Sequence, residues 1–212
     1  MSVESLLQTL PTEQRLALAY APVASRDALL ALLALDARLA SVVRTGHEPI
    51  LIQMRLAWWR ERLAGLATAT TPAEPLLQLA AASWADPRAL IPLVDGWEAL
   101  AGEDTAEAAN AISQGRACAF AALTPPGFRD EAARAAHGWA LADLATRLPD
   151  SVERSTAIEC AARQDWRRPA LPRSLRPLAV LFALARRRHD GRPLLSGIGA
   201  FFAAMRVGLF GI

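Results

Sequence analysis

The chain has 212 residues, 53% of them hydrophobic, enough for one domain over residues 1–212 with a large core and little left for a second. Its 23 basic residues against 21 acidic ones give a formal charge of +2, too near neutral to imply a nucleic-acid partner. Every basic residue is arginine and lysine is absent; with the abundant alanine, this points to a GC-rich bacterial genome.

The opening MSVESLLQTLPTEQR carries an early Glu4, no basic leader and a proline after a few apolar residues. That fits neither a secretory signal nor an Arg-rich transit peptide, so a cytoplasmic chain is expected. Ser25 with Asp27 then opens a helix ending near Arg44, and Glu48 with Pro49 opens the next, proline being tolerated where its missing N–H costs nothing. In that second helix Ile52, Leu56, Trp59, Leu63 and Leu66 alternate at steps of four and three, the stripe of a core-facing helix. TATTPAEP breaks the pattern. Asp86 before Pro87 caps a helix whose Leu90, Leu93, Val94, Trp97 and Leu100 share a face. Asp104 and Glu107 form a capping box for AEAANAISQGRACAFAAL, whose small side chains predict close packing, and TPPG ends it. Further helices are predicted in FRDEAARAAHGWALADLATRL, in SVERSTAIECAAR, in LAVLFALARRR after the connector RRPALPRSLRP, and in SGIGAFFAAMRVGLF. The last carries Ser196, Ala200, Ala204 and Gly208 every fourth residue, a ridge that lets a neighbour approach closely. Arg206 interrupts this segment before about 18 uncharged residues accumulate, so it is not a membrane span. The expected fold is an all-α bundle of about eight to ten helices.

Ordinary catalytic signatures are missing: there is no glycine-rich phosphate loop, no His-Glu-x-x-His and no Gly-x-Ser-x-Gly. Cys118 and Cys160 lack partners at ligand spacing, so buried free thiols are expected instead of a zinc site or a disulfide framework. The most distinctive run is ALLALDARLASVVRTGHEPILIQMRLAWWRERL, residues 31–63. Together with the upstream RLALAYAP and Arg26, it resembles the squalene and phytoene synthase family. Members share an apolar helix, then Glu-Pro, then Ile/Met-Arg-Leu-x-Trp-Trp-Arg, here Met54, Arg55, Leu56, Ala57, Trp58, Trp59 and Arg60. Weaker similarity extends through SQGRACAFAAL, GWALADLATRLP and the LP…RPL region. The resemblance implies a shortened isoprenoid-synthase-like bundle in which active members join two prenyl diphosphates head to head, with Mg²⁺ held by two aspartate-rich motifs.

Those motifs are absent here. The three first-motif aspartates fall on Ala40, Ser41 and Arg44, the last placing a permanent cation where a metal ligand belongs. The second motif falls near ALADLATRLPDSVER, where Asp143 and Asp150 lack the Asp-x-x-x-Asp spacing. A divergent branch of the family without the aspartates includes the mitochondrial complex I assembly factor, and EPILIQMRLAWWRERL looks closest to that branch. The branch implies a non-catalytic scaffold, assembly factor or lipid- or isoprenoid-binding protein, with no cofactor, beside a membrane-associated complex on the inner membrane. The alternative is a Mg-dependent prenyltransferase with relocated ligands from Asp36, Asp143 or the Glu103/Glu107 pair.

Each remaining candidate has a plainer role. Asp36 lies in a very apolar helix and needs a partner if buried, for which Arg60, Arg62 or an arginine of a neighbouring helix is available. Asp95 with Glu98, like Glu103 with Glu107, is placed to share a cation, although both pairs sit near helix ends where solvated acids are ordinary. Arg55, Trp58, Trp59 and Arg60 are the candidate binding residues, the two tryptophans as a prenyl-binding wall; the plainer role is core packing for Trp59, on the core stripe, and a partner surface for Trp58 beside its arginines. His47, His137 and His189 share no helix face and are read as structural or solvated. Arg167, Arg168, Arg173, Arg176, Arg186, Arg187, Arg188 and Arg192 crowd a stretch in which Asp190 is the only acid, a patch suited to anionic lipid or a partner and equally to a solvated helix end.

Overall fold

The computed structural model describes residues 3–46, 48–66, 73–100, 105–148, 151–187, 189–190 and 192–211. Among them are eleven α-helices: α1 (Val3–Thr9), α2 (Thr12–Leu18), α3 (Val23–Thr45), α4 (Pro49–Gly65), α5 (Pro75–Ser83), α6 (Ile91–Ala99), α7 (Thr105–Ala122), α8 (Arg129–Arg147), α9 (Ser151–Ala162), α10 (Arg176–Arg187) and α11 (Ile198–Phe210). Single 3₁₀ turns at Pro87–Leu90, Pro126–Phe128 and Arg173–Leu175 lead into α6, α8 and α10. The expected all-α architecture is present. The count exceeds eight to ten because α1, α2 and α5, with 7, 7 and 9 residues, are too short to show helical periodicity.

The 23-residue α3 is the axis of the fold. Every residue from Ala28 to Asp36 is buried, so this helix is enclosed on all sides, as one apolar around its whole circumference must be. It begins at Val23, two residues before Ser25, with Pro22 as its cap residue. Ser25 does not cap it; its hydroxyl donates to the Ser174 carbonyl at 3.0 Å and ties α3 to the turn before α10. In α4, Pro49 occupies the first turn and Ile52, Leu56, Trp59 and Leu63 are buried, as the stripe predicts. Asp86 accepts from the Arg88 backbone N–H at 3.0 Å and caps the 3₁₀ turn before α6. Asp104, the expected cap of α7, lies outside the described residues.

Small residues set the spacing of α6 and α7. A Cβ on Gly96 would stand 2.8 Å from the Ala111 carbonyl oxygen and one on Gly115 2.3 Å from that of Pro92, so α6 and α7 meet backbone to backbone. Ala200 and Ala204 of α11 are buried, and Gly208 admits the Tyr20 ring where a Cβ would come within 2.5 Å of it. The close approach expected from that ridge is thus made with α10 and with Tyr20. One continuous apolar core runs from Leu6 to Ala204.

Candidate functional site

Among the described residues three charged side chains are buried at the centre of the bundle, where an unpaired charge would be prohibitive. Asp36 of α3 is 2% exposed, Arg116 of α7 1% and Asp143 of α8 0%. Arg116 grips Asp36 with two parallel bonds, Nε to Oδ1 at 3.1 Å and Nη2 to Oδ2 at 2.8 Å. Its Nη1 donates to Asp143 Oδ2 at 2.9 Å. The planar guanidinium fork suits this double engagement, which an ammonium could not reproduce. Asp36 Oδ1 also accepts from the Trp97 indole N–H at 2.8 Å, and Asp143 Oδ1 accepts from Arg147 Nε at 2.8 Å. Arg147 continues the chain to Glu13 of α2. The Arg116 guanidinium lies 4.9 Å from the Trp139 ring centroid and 5.9 Å from that of Trp97, which adds cation–π attraction in a dry setting.

The electrostatics follow from this geometry. Burial pushes the Asp143 carboxyl up, but Arg147 and Arg116 outweigh it and hold the group below its ordinary range. Burial disfavours the Arg116 cation, and Asp36 and Asp143 more than restore it. Arg116 and Asp143 therefore stay ionised, and with the paired contacts to Asp36 they lock α3, α7 and α8 in register.

A cavity of about 340 Å³ opens beside this network, lined by Asp36, Arg38, Arg44, Arg116 and Arg147 among others. Ala40, Ser41 and Arg44 are all on its wall. Four arginines thus face one carboxylate. Gln14 on the same wall has a buried Oε1 without a hydrogen-bond partner among the described residues. The fit of this site to Mg²⁺ is poor: Asp36 and Asp143 already accept five hydrogen bonds from Trp97, Arg116 and Arg147, and the surrounding charge is positive. Among the described residues no three His, Cys, Asp or Glu side chains gather as a metal would need. Glu107 is exposed in the first turn of α7, while Glu103 and Asp150 lie outside the described residues.

Other sequence candidates are placed as follows. Arg60 does not reach Asp36; it bridges Asp95, at 2.6 Å, and Glu98, so those two acids do share a cation, and it is a guanidinium. Trp59 is buried, Trp58 is 39% exposed with its ring edge-on to Trp59 at 5.0 Å, and Arg62 stacks over Trp58. Arg55 is exposed. Cys118 and Cys160 are free but half-buried, not fully buried as expected, each within reach of a polar neighbour. His137 is half-buried between Gln164 and Asn110, and burial pushes its pKa down. His189 stacks on Trp166, and His47 lies outside the described residues.

The arginine-rich stretch divides. Arg167 pairs with Glu131 and Asp165 on one side of the connector. Arg192 pairs with Asp190, Arg173 is exposed in its 3₁₀ turn, and Arg188 lies outside the described residues. Arg168, Arg176, Arg186 and Arg187 come together on a second cavity between the connector, α10 and α11, joined there by Arg206. Sequence reasoning singled out neither Arg116 nor Arg147. An arginine within the small-residue run SQGRACAFAAL was the available signal for Arg116, since such a run is expected to be buried. Comparison with protein-family models, curated proteins and solved structures finds no match for this chain.

Proposed function

We propose that the chain is a non-catalytic relative of the squalene and phytoene synthases that acts as a scaffold or assembly factor at the inner-membrane periphery. Arg116 carries this reading. It stands between the two buried aspartates that a relocated metal site would need, so those carboxylates serve the fold. The resemblance of residues 31–63 supplies the family, and the aspartate-free branch supplies the assembly role beside a membrane-associated complex. A Mg-dependent prenyltransferase would require Asp36 and Asp143 to release Arg116 within an arginine-lined cavity, at the cost of a buried, unpaired guanidinium.

Incubation of folded protein with Mg²⁺ and labelled farnesyl or geranylgeranyl diphosphate tests this. The expected result is neither a condensed hydrocarbon nor released diphosphate above a no-protein control. Turnover abolished by Asp36→Asn would establish the transferase instead.

A further inference from the structure

The second cavity, of about 650 Å³, is of a size that holds small ligands or headgroups. Arg168, Arg176, Arg186, Arg187 and Arg206 line it, and among the described residues no carboxylate side chain does. Among the described residues none of these five forms an ion pair. Arg168 and Arg176 donate to the main-chain carbonyls of Gly211 and Val207, fastening the end of α11. Arg186, Arg187 and Arg206 have no such duty among the described residues and are exposed. The contrast with Arg167, neutralised by two acids close by, shows that this concentration of charge is local to the cavity.

The neighbouring face of α11 is inverted relative to an ordinary surface helix. Its small residues point inward, whereas Ile198, Phe201, Phe202 and Leu209 are 76%, 51%, 56% and 59% exposed. Their spacing of three, four and eleven from Ile198 puts all four on one side, away from α10. Large apolar side chains gathered on one exposed face mark a contact surface. Among the described residues no helix is long and apolar enough to cross a membrane. A 13-residue helix with an apolar outer face and arginines on its flank matches one that lies in the interface plane.

We propose that α11 docks on an anionic phospholipid surface: its Ile198, Phe201, Phe202 and Leu209 face enters the acyl boundary, and a lipid phosphate enters the cavity lined by Arg186, Arg187 and Arg206. Charge complementarity selects this occupant. A second copy meeting the same face would oppose two acid-free clusters of arginine, whereas an anionic bilayer supplies both negative headgroups and an apolar interior. The inference deepens the membrane-peripheral part of the proposed function and rests on it. Vesicle binding and prenyl turnover are separate readouts, so either can fail alone.

Full-length protein sedimented with vesicles of phosphatidylcholine, alone or with about one-third phosphatidylglycerol, tests the proposal. The expected result is binding to the anionic vesicles only. The variant R186Q/R187Q/R206Q should weaken it about 100-fold, from roughly fivefold per arginine. F201S/F202S should weaken it by more than about tenfold through lost apolar insertion. The substituted side chains are exposed, and a thermal melt like the parent's verifies that each variant is folded. Equal binding to neutral vesicles, unchanged binding by either folded variant, or no vesicle binding by the parent would overturn the proposal. So would saturation by soluble glycerol phosphate without vesicle binding, which would make the cavity a small-phosphate site, or capture of an acidic peptide without vesicle binding, which would assign the face to an acidic protein.

Discussion

Replacing Arg116 by methionine is expected to lower the unfolding free energy by about 3–5 kcal/mol, the usual penalty for removing one partner of a buried ion pair. The reason is the state left behind more than the bonds removed. Asp36 and Asp143 would remain at the centre of the bundle as two carboxylates, with Arg147, among the described residues, the only guanidinium still paired with either. Arg116→Lys should recover little, because an ammonium cannot span three carboxylate oxygens on two helices. The triple variant R116M/D36N/D143N should regain part of the loss, since it removes the stranded charges. Urea denaturation checks the ordering: parent most stable, triple variant next, Arg116→Met lowest. A triple variant no better than Arg116→Met would mean that the bonds themselves, and not stranded charge, carry the stability.

Gly115→Val is expected to cost about 3 kcal/mol, the upper end of the range for overpacking a core. A Cβ at this position would stand 2.3 Å from the Pro92 carbonyl oxygen and 3.2 Å from the Leu93 Cα, both backbone atoms that cannot rotate aside. The substitution therefore wedges α6 away from α7. Trp97 rides on α6 and Arg116 on α7, so both would be drawn from Asp36. Gly65→Ala is the control: beyond its own helix, nothing among the described residues lies within 4 Å of its added Cβ, and an alanine near a helix end gains up to about 0.5–1 kcal/mol of backbone entropy. Thermal melts of the two variants should move in opposite directions.

Much of the fold was legible because its punctuation is chemical. Pro49, Asp86 and TPPG fall where helices begin or end, and the four-three stripe of α4 faces the core. The helices α1 and α2 share a short stretch interrupted by Pro11, and α5 has too few turns for a period to emerge. The site was legible in one half. That Asp36 needs a guanidinium follows from its apolar helix, but which one does not, since Arg116 lies 80 residues away and Arg60 was nearer in sequence. Likewise Arg167 and Arg168 are adjacent in sequence yet serve different surfaces, a division set by which side of the connector carries Glu131 and Asp165.

Whether Asp36 and Asp143 belong to Arg116 or to a divalent cation is read most directly by titrating Mn²⁺, a paramagnetic substitute for Mg²⁺, into the folded full-length protein and following the signal of the free ion. With both carboxylates engaged by arginine, the free-ion signal should rise as it does in buffer throughout the millimolar range. Stoichiometric uptake by the parent, lost in folded Asp36→Asn or Asp143→Asn, would contradict this and restore a metal site at the centre of the bundle.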